Sequence, residues 1–258
     1  MKILPAVAAI IFFAVGATAQ TTNDLSDAEI QGRQLAQKLL EQQPTEDFTN
    51  LGTLQIRREG SEQTKINLEC ETIVTKTNWI ISYKGTKLGL NLIATDTLQI
   101  IHAENQSEQF HLNSSVYFAM LHTNSDEDLN GQNLLKPFAD SDFWICDLGL
   151  EFFHWPEQKI LKKENRRSRA CEVLESTNPN PSTNGYSRVD SWIDEESGGI
   201  VHAEAYDAQN KLLKVFDPKS FKKVNGQWQV DFMEMENVQT GSRSWIDFNP
   251  AGTPPPKK

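Results

Sequence analysis

Hydrophobic and polar positions along the chain change period near residue 49. Before it, apolar or small side chains fall at Leu25, Ala28, Gly32, Leu35, Ala36 and Leu39, a stripe at i+3/i+4 spacing with Glu29, Arg33, Gln37 and Lys38 off it. That pattern predicts one amphipathic helix. Ser26 followed by Glu29 forms a capping box at its start, and Pro44 ends it. Gly32 sits mid-stripe, where glycine costs about 1 kcal/mol of helix propensity relative to alanine, so a close approach to another backbone is expected there.

From residue 49 onward the period is two, in segments rich in Thr, Val, Ile and aromatic residues. Strands are predicted at 51–57, 65–74, 78–83 and 97–102, then at 168–174, 186–194, 200–206, 211–216, 221–224, 227–233 and 243–248. Asn225-Gly226 separates two of these runs by two residues able to take positive φ, a strong hairpin signal. Residues 207–210 and 197–199 and Gly241 mark further tight connections. An antiparallel sheet of about ten strands is too wide to stay flat and should curl strongly or close. The predicted class is therefore mainly β (α+β), a strongly curved antiparallel sheet with an N-terminal helix.

The middle of the chain is less regular. Residues 105–133 are polar apart from the apolar run 116–121, which reads as a helix or a buried turn. Residues 138–155 are unusually aromatic, and 147–153 could form a short helix with an apolar face.

The two ends read as appendages. Lys2, the apolar run 4–15 and the small residues Ala17-Thr18-Ala19 make residues 1–19 a signal peptide cleaved after Ala19. The run is shorter than the roughly 20 residues needed to span a bilayer. Residues 250–258, with three consecutive prolines, read as a flexible Pro/Lys tail, which leaves 20–249 as one domain of an exported, soluble protein.

Charge removes one class of partner. Lys+Arg total 25 against 35 Asp+Glu, net −10, and no basic block is long enough to grip a phosphate backbone, so no nucleic acid is expected. The three cysteines, Cys70, Cys146 and Cys171, make no Cys-x-x-C. Either Cys146 pairs with Cys171 in an oxidising compartment or all three are buried as small apolar residues.

Candidate chemistry is sparse. Asp126-x-Asp128-x-Asn130-Gly131 matches the first half of a calcium loop, but Pro137 stands where a bidentate Glu is required, so an acidic surface turn is expected. His102-x-Glu104 and His202-x-Glu204 each place an imidazole and a carboxylate on one face of a strand, a pair able to contribute to a metal site. No nucleophile elbow, phosphate-cradling glycine loop or His-Glu-x-x-His is present. No catalytic residue, metal or cofactor is expected. What stands out is apolar bulk: six tryptophans together with Met233 and Met235 exceed what one thin sheet hides from water. A curled sheet whose concave face is closed by an amphipathic helix can hold an acyl chain, and the candidate lining residues are Trp79, Trp192, Tyr206, Trp228, Met233 and Met235.

Residues 135–248 resemble the LolA-like outer-membrane lipoprotein-sorting proteins of Gram-negative bacteria. The matching features are Asp142-Phe143 to Asp147-Leu148 with Phe152-x-x-Trp155, then 169–175, Tyr186-Ser187-Arg188-Val189-x-x-Trp192-Ile193-Asp194, Glu204-Ala205-Tyr206-Asp207, the 210–214 hairpin, 224–228, Met235-Glu236-Asn237 and 240–243. The helix at 24–43, running into Phe48-Thr49-Asn50, also resembles that family's start. Asn210 stands where relatives commonly carry a glycine; asparagine tolerates the positive φ of that turn. The resemblance implies a half-open β-barrel with helices at its concave side, a periplasmic location, and an acylated lipoprotein or lipid as ligand, with an inner- or outer-membrane protein as partner. The absence of a cysteine for lipidation resembles the soluble carrier. Two alternatives stand beside it. One is a lipid-sensing regulatory domain of the same fold that binds a membrane protein. The other is a secreted hydrolase or metalloenzyme built on the His102 and His202 pairs, which requires both pairs to share one cleft.

Overall fold

The computed structural model describes residues 25–103, 107–224 and 227–248 and, of residues 223, 224, 227 and 228, the backbone only. The expected signal peptide, Glu104, Asn105, the Asn225-Gly226 turn and the 250–258 tail lie outside the described residues.

Helix α1, Asp27–Leu40, starts on the expected capping box: the Ser26 N–H donates to Glu29 Oε2 at 2.7 Å, and the Glu29 N–H returns to the Ser26 hydroxyl. Thirteen strands follow among the described residues: β1 Phe48–Arg57, β2 Thr64–Val74, β3 Asn78–Leu88, β4 Leu92–Ala103, β5 Gln109–Phe118, β6 Leu121–Leu129, β7 Glu157–Arg166, β8 Arg169–Thr177, β9 Tyr186–Asp194, β10 Ile200–Asp207, β11 Leu212–Val224, β12 Gln227–Asn237 and β13 Ser242–Asp247. They form one sheet in the order β6-β5-β4-β3-β2-β1-β13-β12-β11-β10-β9-β8-β7. Every neighbour is antiparallel, and every neighbouring pair but one is consecutive in sequence. The exception is the seam between β1 and β13, where Thr53 faces Asp247 and Arg57 faces Arg243. Because β6 and β7 do not pair, the curled sheet stays open, as expected of a half-open barrel.

Three features depart from the sequence expectations. The run 116–121 is neither helix nor buried turn. Val116–Phe118 end β5, where they pair with Ala94, Ile93 and Leu92, Leu121 starts β6 opposite Phe118, and at this hairpin end their side chains are exposed. Asp126 and Asp128 lie on strand β6 rather than in a turn, 2.7 and 2.8 Å from the two ring nitrogens of His111. The predicted strands 211–216 and 221–224 are one strand, β11, with a register shift between Pro218 and Phe221. There Pro218 supplies no N–H to the ladder. Asn210 takes φ 60°, as its turn requires.

The segment between β6 and β7 fills the concave side. It contains 3₁₀ turns at Gly131–Leu135, Phe138–Asp140 and Glu151–His154 around a short helix α2, Ile145–Leu148. Phe138, Phe143, Ile145, Cys146, Phe152 and Phe153 pack in one core with Leu54, Ile66, Leu68, Leu98, Ile100 and Ile246 from the sheet. Polar ties hold this plug in place. Asp142 accepts from the hydroxyls of Ser242 and Ser244 on β13, and the Gln158 amide donates at 2.9 Å to the carbonyls of Phe152 and Trp155 while accepting from Ser176. Helix α1 lies along edge strand β7. A Cβ on Gly32 would stand 2.5 Å from the Lys159 nitrogen, the close approach that its place in the stripe suggested.

Candidate functional site

The plug leaves part of the concave face uncovered, and a cavity of about 370 Å³ remains between the two. That volume lies in the range of small-molecule sites, about 300–1,000 Å³. Phe216, Phe221, Val230, Met233 and Met235 line it from β11 and β12, Ala203 and Ala205 from β10, Leu148, Leu150, Phe152 and Phe153 from the plug, and Leu39 from α1. The strand residues reach it because alternate positions of β10, β11 and β12 point to the concave side.

One ion pair is set in this apolar wall. Lys214 occupies an inward position of β11 and is 1% exposed. Its Nζ lies 3.2 Å from Asp147 Oδ2 on α2 and 3.5 Å from the centre of the Trp144 ring. The Asp147 carboxylate also accepts from the Tyr186 hydroxyl at 2.9 Å and from the Trp144 N–H at 2.8 Å. Trp144 and Tyr186 stack at 4.8 Å beside the pair. Burial holds the Lys214 ammonium below the usual lysine range, against the attraction of Asp147. Burial likewise pushes the Tyr186 hydroxyl well up, with Asp147 adding to the effect. Arg169, paired with Asp194 at 2.6 Å, adds a second cation to the lining.

Of the residues singled out from the sequence, Met233 and Met235 line the cavity. Trp79, Trp192 and Tyr206 do not. Trp79 stacks on His102 at 4.6 Å. Trp192 packs with Cys171, Val173 and Val201 in a second cluster, under the Arg166 guanidinium and donating to Glu164. Tyr206 lies beneath Arg188 at 3.7 Å and donates to Glu204. The Trp228 side chain lies outside the described residues. The alternative of a Cys146–Cys171 disulfide fails: all three cysteines are free and buried, Cys146 in the main core and Cys171 in the separate Trp192 cluster. Burial pushes the Cys70 thiol up to about 12, so it behaves as a small apolar residue.

The two histidines themselves do not meet. His102 is on β4 and His202 on β10, with six strands between them in the sheet, and neither lines the cavity. His202 is held between Asp217 at 2.8 Å and Glu204 at 3.2 Å. His102 and His202 thus do not meet in the described cavity, and Glu104, the carboxylate of the first pair, lies outside the described residues.

A different surface is apolar and exposed. The β3–β4 and β5–β6 hairpins end side by side, since β4 pairs with both β3 and β5 and the Ala119 N–H donates to the Asn91 carbonyl at 3.2 Å. Leu88, Leu90, Tyr117, Phe118, Met120 and Leu121 all point into solvent there, with Leu90 and Met120 fully exposed. Contiguous apolar exposure of this kind marks a surface for a partner or a membrane.

A family model described as an uncharacterized protein matches residues 117–252, just over half of the chain. Comparison with curated proteins gives no match. Among solved structures, the chain is similar to a DUF1329 family protein from Desulfovibrio piger, with 19% identity over 86% of this chain and 91% of that one and a TM-score of 0.68. It is similar to a putative outer membrane lipoprotein-sorting protein domain from Vibrio parahaemolyticus, with 18% identity, coverage of 85% and 90% and a TM-score of 0.63. A LolA superfamily protein from Nitrosomonas europaea follows at 16% identity, 84% and 90% coverage and a TM-score of 0.54. At these identities the likeness is one of fold. No helix among the described residues is long and apolar enough to cross a membrane.

Proposed function

Since the chain belongs to the uncharacterized-protein family whose model matches residues 117–252 and has the LolA-like fold, we propose that it is a noncatalytic carrier that holds the acyl chain of a lipid or lipoprotein in the cavity between sheet and plug. The observation that carries this reading is the cavity itself: about 370 Å³, walled by Phe216, Phe221, Val230, Met233 and Met235 on one side and by Leu148, Leu150, Phe152 and Phe153 on the other. An apolar chain entering such a space gains about 25 cal/mol for each Å² of surface it removes from water, with no covalent chemistry. Residues 1–19 act as the export signal and the carrier works in the periplasm. The exposed apolar ends of the β3–β4 and β5–β6 hairpins serve as the surface by which it meets a membrane.

Native mass spectrometry with lipid extraction on the full chain tests this. The expected result is an acylated ligand at about one per chain, reduced when Met233→Glu places a charge in the cavity wall. A ligand-free mass that takes up no added acylated peptide rejects the carrier reading and leaves a regulator that binds a membrane protein.

A further inference from the structure

Away from the cavity wall, three side chains from two distant parts of the chain converge. Glu108 immediately precedes β5, and Glu151 and His154 stand three residues apart on one 3₁₀ turn of the plug. Their ligand atoms, one carboxylate oxygen from each glutamate and one ring nitrogen from the histidine, all lie within 4.8 Å of one another. His154 Nε2 contacts Glu108 Oε2 directly. The Glu108 side chain is 8% exposed, so its carboxylate is oriented by the protein rather than by solvent. His102 does the orienting: its Nδ1 lies 3.1 Å from the other oxygen, Glu108 Oε1, and its own ring is held flat against Trp79.

From this geometry we propose that Glu108, Glu151 and His154 form a site for one divalent transition-metal cation, with His102 as the residue that positions Glu108. Two carboxylates so close and largely shielded from water repel one another, and a cation held between them relieves that repulsion. One imidazole nitrogen and two carboxylate oxygens with a fourth position left for water is a set suited to zinc and its neighbours, and it contains no thiolate. A histidine hydrogen-bonded to a ligating carboxylate is the kind of outer support such sites use. The Glu-x-x-His spacing from 151 to 154 places two ligands on one turn, whereas Glu108 comes from far upstream, so no local motif in the sequence announces the site. The cation would staple the plug to the start of β5 through the same 3₁₀ turn that carries Phe152 and Phe153 of the cavity wall. The site stands whether or not the cavity carries lipid.

The test is Zn²⁺ binding to the chelator-treated full chain, measured by competition with a chromophoric chelator and by X-ray absorption. One Zn²⁺ per chain is expected, with nitrogen and oxygen ligands and no sulfur. His154→Gln and Glu151→Gln should each weaken binding by more than about 100-fold, and His102→Gln by about 10–100-fold. His111→Gln, which removes the exposed histidine between Asp126 and Asp128, should leave the affinity unchanged. Should His154→Gln fail to fold by circular dichroism, the near-isosteric Glu151→Gln and the absorption spectrum of the wild-type chain carry the test. Failure of the wild type to compete with the chelator, sulfur in the first coordination shell, or affinity unchanged by Glu151→Gln would overturn the proposal.

Discussion

Lys214 and Asp147 form an ion pair at 3.2 Å within a mostly apolar cavity wall, joining strand β11 to the short helix of the plug. The pair is wholly enclosed, so its two charges depend on one another. Removing one partner of a buried pair leaves an uncompensated charge, whereas replacing both is often close to neutral. Lys214→Met should therefore lower stability by about 3–5 kcal/mol, and adding Asp147→Asn, which retains the carbonyl oxygen that accepts the Trp144 N–H, should recover most of the loss. Urea denaturation of the two singles and the double variant measures this coupling. Additive losses would show that the charges act independently.

Gly32→Ala places a methyl 2.5 Å from the Lys159 nitrogen. Alanine would gain about 1 kcal/mol in a free helix, but here the helix must move off β7. The net expectation is a loss of about 1–3 kcal/mol, read as a lower thermal midpoint. An unchanged or higher midpoint would mean that α1 is held loosely against the sheet.

Asp190 gives a pH dependence of definite sign. Burial pushes its carboxyl up to about 6, with Glu175 and Glu204 adding to the shift and Arg188, 3.8 Å away, opposing it. The folded state thus holds its proton at pH values where the unfolded chain, with a carboxyl near 3.9, has released it. Stability from this group is unaffected below about pH 4, falls as pH rises towards 6, and stays reduced above that. Asp190→Asn should match the parent protein at pH 3.5 and exceed it by about 2–3 kcal/mol at pH 7.5. Denaturation curves at the two pH values decide this, and an equal effect at both would remove the titration from the explanation.

The exposed hairpin ends give a prediction that separates membrane contact from cavity loading. Leu90→Asp with Met120→Asp should abolish sedimentation with lipid vesicles while leaving the co-purifying ligand unchanged, since neither residue lines the cavity. Vesicle binding that survives both charges would place the membrane-facing surface elsewhere.

Much of the fold is legible in the pattern of residues. Ser26 and Glu29 mark where α1 starts, Gly32 marks where it touches the sheet, and the alternating runs of the second half lie in β8 to β13. Strands β5, β6 and β7 leave little trace, for a physical reason. In β5 only Phe110 is buried, β6 is exposed at every position but Leu129, and in β7 only Gln158 and Ile160 are buried, so none shows an apolar alternation. The cavity is half legible. Met233 and Met235 reach it, but Trp192 and Tyr206 turn the other way, because the side of a curled sheet on which a strand residue falls depends on register. Register shifts beside Ile200 and Ala205 in β10 carry no sequence mark. Lys214 did leave one: a lysine alternating with Leu212 and Phe216 is out of place on an apolar strand face unless it has a buried partner.

The seam between β1 and β13 has a consequence in time. Every other pair of neighbours is a hairpin or short meander that can close as soon as its own residues exist, but the seam joins the first strand of the sheet to the last. A chain emerging from the ribosome N-terminus first can assemble β1 to β6, yet the partner of Thr53 is made only when Asp247 has been added. The seam therefore closes only after β13 has been made, and among paired strands it spans the longest stretch of chain. Until that moment the nascent chain is held open along one hydrogen-bonded line.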